Sequence, residues 1–166
     1  MNIFVLNSDP VLAAIDMCDK HVVKMIIESA QLLCTAHNTQ YSPYRRTHPK
    51  HPCSIWTAST FDNYFWLLSH GFALCDEYSN RYKKIHKSYD VLLWCRDNTP
   101  SHFINGACGM TEFAQAMPDQ YKHKNAVIAY RQYYLGEKAR FARWKTGNIP
   151  AWFQQKNPML GIELAV

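Results

Sequence analysis

Several catalytic signatures are missing from this sequence. It has no glycine-rich phosphate loop, no dinucleotide fingerprint, no nucleophile elbow and no His-Glu-x-x-His pair. That removes the commonest nucleotide hydrolases, the dehydrogenases and the known metalloprotease patterns. Long apolar runs are missing too. No stretch approaches the roughly 18 residues of a membrane span, so no membrane partner is expected. Internal repeats, low-complexity tracts and linker-like composition are also lacking, which argues for one domain over residues 1–166. The six cysteines, Cys18, Cys34, Cys53, Cys75, Cys95 and Cys108, include no Cys-x-x-Cys pair. Met1 leads into Asn2-Ile3-Phe4-Val5-Leu6 without a basic start, so no secretory leader is expected. The cysteines then read as reduced thiols in a cytoplasmic protein of a bacterium or an infected host cell.

What is present is apolar and aromatic. Hydrophobic residues make up 48% of the chain and charged ones 19%, which fits a folded globule better than a disordered chain. Ten Tyr, eight Phe and five Trp supply core, and equally supply platforms on which bases stack. The net charge of +5 favours an anionic partner, yet falls short of the strong bias that would by itself indicate duplex binding.

Periodicity predicts an all-α fold: a compact single-domain helical bundle around a central aromatic-rich helix, with a short extended N-terminal arm. Residues 1–6 form the arm. Ser8-Asp9-Pro10 supplies a cap and a first-turn proline, and one long helix is predicted from Val11 to about His37. Val11, Ile15, Cys18, Val22, Met25, Ile26, Ser29 and Leu33 mark its buried face. Asn38 to Pro52 reads as a cationic Tyr/His/Pro loop, the kind of segment on which functional residues concentrate. A second helix is predicted from near Pro52 to about Lys87, apolar nearly all round and so the central element. Asp90–Arg96 reads as a short helix or turn, and Thr111–Met117 as a short helix. A last helix is predicted from about Asn125 to Lys145, and then an irregular tail marked by Gly147, Pro150 and Pro158 and anchored by Trp152 and Phe153.

On a wheel of 100° per residue, Lys20, His21, Lys24, Glu28 and Gln31 fall on one stripe of the first helix. The plain reading is a solvated face. Two features favour a site. A carboxylate, an imidazole and two amines lie within reach at i, i+3 and i+4 spacing, and the stripe leads into the basic loop with Arg45, Arg46 and His51. Arg81 pairs with Glu77 at i, i+4, which by itself is an ordinary intrahelical ion pair. Arg131, Tyr134 and Lys138 share a face of the last helix, suited either to phosphate and base contacts or to core rings with snorkelling cations. Cys18-x-x-His21 and Cys34-x-x-His37 have zinc-like spacing. On one uninterrupted helix, however, they would start roughly 24 Å apart and could not close around one ion, so no metal is expected.

The run Asp19-Lys20-His21-x-x-Lys24-x-x-x-Glu28-x-x-Gln31-Leu32-Leu33, then His51-Pro52-x-x-x-Trp56, then Glu77-Tyr78-x-x-Arg81-Tyr82 resembles the pyrimidine-dimer DNA glycosylases of the endonuclease V type and related small bacterial and phage proteins. The opening Met-Asn-x-Phe is similar as well. The resemblance covers roughly residues 1 to 85. It implies a helical enzyme that extrudes a base and cleaves its N-glycosidic bond through a Schiff base, without metal or cofactor. Carried over by residue, Glu28 is the carboxylate, with Lys24, His21 and His51 as its catalytic companions. On the reading of the residues themselves, Lys20, Gln31, Arg45, Arg46, Trp56, Tyr64, Arg81, Arg131, Tyr134 and Lys138 would contact substrate. The sequence departs from the family at residue 2, where Asn2 replaces the threonine whose freed amine attacks. Either Met1 supplies that amine, or Lys24 or Lys20 substitutes, or there is no lyase step. The expectation is thus a DNA-damage or modified-base glycosylase, with or without lyase activity. The alternatives are a phage-type protein that binds or cleaves a small signalling nucleotide in a deep basic-aromatic pocket, and a non-enzymatic nucleic-acid-binding module.

Overall fold

The computed structural model describes residues 1–37, 39–104 and 106–155. The predicted tail residue Pro158 lies outside them. Every regular element among these residues is helical: α1 Pro10–Ile15, α2 Asp19–Ala36, α3 Pro52–Ser59, α4 Phe61–Tyr82, α5 Tyr89–Asp97, α6 Ala126–Tyr133 and α7 Ala151–Gln154. The all-α expectation holds. Among the described residues no helix is long and apolar enough to cross a membrane.

The starts are set by local chemistry. Asp9 accepts the N–H groups of Val11 and Leu12 ahead of Pro10. The His51 ring accepts the N–H of Cys53 ahead of Pro52. Thr60 accepts that of Asn63, and Asn125 those of Val127 and Ile128. Each cap satisfies donors that a helix leaves open, and a first-turn proline loses nothing there. Helix α4 is central, packing against α1, α2, α3 and α5. Leu67 and Leu74 are fully buried in it, each worth about 1.5–3 kcal/mol of transfer.

Four predicted helices are corrected. The first is two helices, because residues 16–18 leave the helical path although no proline or glycine stands there. Arg81 takes the carbonyls of Ile15 and Met17, and Trp144 takes that of Asp16. The N–H of Cys18 donates to the Tyr134 hydroxyl and that of Asp19 to the Arg143 carbonyl. The break also turns Val11 and Ile15 outward, so they do not belong to the buried face. The second helix is divided at Thr60, whose extended backbone starts α4 afresh, and the chain leaves α4 at Lys83 in a left-handed conformation. Phe61 and Phe65 are exposed on α4, so it is not buried all round. Thr111–Met117 is not helical: the Tyr130 hydroxyl donates to the Ala114 carbonyl and accepts from the Ala116 N–H, and Asn2 takes the Ala116 carbonyl. The last helix passes from α6 into a π turn, Tyr134–Lys138, and stops short of Lys145. Gly136 lies in that turn because the Tyr121 ring occupies the space a Cβ would need.

The arm is tucked in as expected. Ile3, Val5 and Leu6 are buried, and Phe4 sits at φ 40°, a strained left-handed conformation for a residue with a side chain. That turn drives the Phe4 ring onto His21 at 4.4 Å and lays residues 1–3 over the middle of α2.

Candidate active site

The arm ends at Glu28. Its carboxylate is largely buried, 11% exposed, and its two oxygens have different partners. One Oε accepts the N–H of Asn2 at 2.8 Å and faces the amine of Met1 at 4.0 Å. The other pairs with Lys24 Nζ at 3.2 Å. Lys24 is 68% exposed, so the group opens to solvent on that side. Asn2 positions the amine: its side chain accepts the N–H groups of Ile3 and Phe4 and donates to the Ala116 carbonyl at 2.8 Å.

His51, at the start of α3, lies close enough to feel the charges of the Met1 amine and Glu28. Burial, the Met1 amine and His48 lower its pKa, while Glu28 opposes them. Its Nδ1 is spent on the Cys53 N–H, which leaves Nε2 to hold or pass a proton. Beside it the fully buried Cys53 thiol is pushed up to about 12, first of all by burial, so it stays protonated and is not a nucleophile. The chemistry available is a carboxylate between two primary amines, with a neutral imidazole next to it.

His21 belongs elsewhere. Its ring is packed among Phe4, Tyr134 and Phe141, its Nδ1 has no partner, and burial with Lys138 and Lys24 nearby lowers its pKa to about 3. It is a buried neutral ring under the site, and the proton-shuttle expectation is corrected. Around it lies a basic-aromatic surface: Lys20 over Phe141 at 5.2 Å, and Lys138 over Tyr133 at 4.6 Å with a bond to that hydroxyl.

The remaining expected substrate contacts divide. Lys20, Arg45 and Arg46 are exposed, and Gln31 and Lys138 are half-buried. Tyr64 is core, its hydroxyl bonded to the Cys95 carbonyl and His37. Tyr134 is core, holding the Cys18 N–H. Trp56 is wedged against Trp66 and Phe113. None of the three offers a face for a base, and their expected role as substrate contacts is corrected. Arg81 is locked to Glu77 and Asp19 inside the fold, so it too is corrected to a structural role. Arg131 holds the Leu6 carbonyl, leans toward Asp16 and lies over Trp152, which takes it away from Glu28. Arg131, Tyr134 and Lys138 therefore do not act as one face. Asn2, Phe4, Tyr133 and Phe141 went unnoticed as neighbours of the site. Only the opening Met-Asn-x-Phe carried a signal for the first two.

Among the described residues no group of three or more His, Cys, Asp or Glu could hold a metal ion. Cys18 lies just before α2 and Cys34 is packed on Cys95, 3.8 Å between sulfurs. Two concavities of about 420 Å³, both open to solvent, are lined by Thr39, Gln40, Ser42, Arg45 and Arg46, and by Ser8, Glu112, Phe113 and Lys124–Val127. The chain matches no family model, no curated protein and no solved structure.

Proposed function

We propose that this chain is a DNA glycosylase with Schiff-base lyase activity. One observation carries the proposal: the buried Glu28 carboxylate sits between the Met1 amine and Lys24 Nζ at the solvent edge of a basic-aromatic surface. An isolated carboxylate at that depth would be costly, and the amines offset its charge. The same juxtaposition is what an amine-catalysed excision requires.

In that reaction an uncharged amine attacks C1′ of the deoxyribose and the bond from C1′ to the base breaks. The base departs with a proton from solvent, and the sugar ring opens to an iminium as Glu28, having taken the proton lost by the amine, hands it to O4′. Ionised again, Glu28 accepts a proton from C2′, and the 3′-phosphate is expelled by β-elimination. Water then hydrolyses the imine and restores the amine. His51 would relay protons through Nε2. The Met1 amine is the better placed nucleophile, since Asn2 fixes it on a packed arm while Lys24 is a long exposed side chain. The small-nucleotide alternative would need a closed pocket around the same groups.

Borohydride trapping on abasic-site DNA tests this. The wild-type chain should form a covalent adduct, Lys24→Ala should retain most of it, and Glu28→Gln should lose about 100-fold or more in strand cleavage. Mass spectrometry of the adduct should place it on the N-terminal peptide. No adduct and no cleavage on abasic, irradiated or modified DNA would sink the proposal.

A further inference from the structure

Helix α2 works as a ruler. Lys20, Lys24, Glu28, Gln31 and Thr35 follow one another along one stripe of it, and the Tyr/His loop is fastened to its far end. The Thr35 hydroxyl accepts the Thr47 N–H at 3.1 Å, and His48 beside it takes a left-handed backbone, φ 48°. The chain is thereby turned back toward His51, and Arg46 and Arg45 are left at the end of the helix. These arginines line the open depression with Thr39, Gln40 and Ser42. Both are exposed, and among the described residues neither pairs with an acid.

We infer that the Arg45/Arg46 depression is a phosphate subsite for one arm of a DNA duplex, and that the Lys20/Lys138 surface takes the other arm. From Glu28 to Thr35 is seven residues, about 10 Å at the helical rise, or roughly three base steps at 3.4 Å of duplex axis per step. Lys20 lies eight residues the other way, about 12 Å. The carboxylate thus sits near the midpoint of a cationic track about 22 Å long, too long for a mononucleotide and fitted to a polymer of evenly spaced phosphates. The inference takes its substrate class from the proposed function, but needs none of its chemistry.

Binding to an uncleavable duplex separates the two. The probe is a duplex of about two helical turns with a central tetrahydrofuran abasic analogue, followed by anisotropy against salt. Arg45→Ala with Arg46→Ala should weaken binding about tenfold and make the log–log salt slope shallower by about 1.8, two contacts at about 0.9 each. Lys20→Ala with Lys138→Ala should do the same. Lys84→Ala with Lys87→Ala, removing equal charge beyond the end of α4, should change the slope least. Trimming one arm to a single base pair should abolish the effect of the arginine pair and spare that of the lysine pair, and trimming the other arm should do the reverse. Unchanged slopes, both pairs answering to the same arm, or tight binding of a mononucleotide in place of the duplex would each overturn the inference. Loss of trapping with these slopes intact would sink only the enzymatic proposal.

Discussion

Two buried ion clusters lie along α2, and they differ in how completely they are filled. At its start, Arg81 is 1% exposed and all five of its N–H groups have acceptors: Glu77 twice, Asp19, and the carbonyls of Ile15 and Met17. Two turns further on, Glu28 is buried almost as deeply, but it holds one N–H, one exposed ammonium and an amine at 4.0 Å, with capacity left over. A saturated cluster fixes a fold and can do nothing else. An unsaturated one at the surface can exchange a partner for a substrate. The contrast between the two clusters separates scaffold from candidate site.

The largest effect should come from breaking the closed cluster. Arg81→Ala leaves Asp19 and Glu77 uncompensated and frees two carbonyls at the α1–α2 break, a loss of about 3–5 kcal/mol in denaturant unfolding. A loss under about 1 kcal/mol would mean that water fills the site and that the cluster is no more closed than the other. Glu28→Gln should behave in the opposite way. Glutamine still accepts the Asn2 N–H, and the partners lost are an exposed lysine and an amine at 4.0 Å, so stability should fall by about 1–2 kcal/mol while strand cleavage falls about 100-fold. Equal stability losses in the two variants would make Glu28 a second structural cluster and remove the basis for a site.

Acid should sharpen the comparison next. His21 has its pKa lowered to about 3, and His37 and His70 to about 4, each first of all by burial. A histidine held neutral in the fold takes up a proton on unfolding. Its contribution is therefore full above about pH 6.5 and is lost as the pH falls toward the folded value, by about 1.4 kcal/mol per pH unit per group. His21→Phe keeps a ring among Phe4, Tyr134 and Phe141 and should remove one such proton from the slope between pH 6 and 4.5. An unchanged slope in His21→Phe would show that this ring is not held neutral in the fold.

The fold class, the arm, α5 and the Lys24–Glu28 stripe were legible because each depends on local spacing or capping. The break before α2 was not, since it contains no helix-breaking residue. It exists because Arg81, Trp144, Tyr134 and Arg143, all distant in sequence, claim its backbone groups. Thr111–Met117 was misread for the same reason, its backbone being taken by Tyr130 and Asn2. Aromatic periodicity could not say which rings are core: Tyr64 and Tyr134 turned inward, while Phe61 and Phe65 remained outside. The role of Asn2 was hidden because an Asx turn that aims an amine looks, in sequence, like any polar residue near a terminus.

The smallest effect concerns the end of α4, two residues beyond Arg81. Lys83 closes that helix in a left-handed conformation, φ 56°, with its N–H on the Ser79 carbonyl. A side chain is disfavoured there and glycine is not. Lys83→Gly should therefore stabilise the chain by about 0.5–1 kcal/mol, a rise of about 1–4 °C in Tm. The gain should be confined to the closed cluster. With α4 better terminated, the Arg81 end of α2 is held more firmly while the Glu28 group keeps its partners, so trapping on abasic DNA should be unchanged in rate and yield. A fall in Tm would show that the lysine stem contributes more by packing than its backbone costs. A change in trapping would show that the two clusters are coupled through α2 and cannot be assigned separately to scaffold and site.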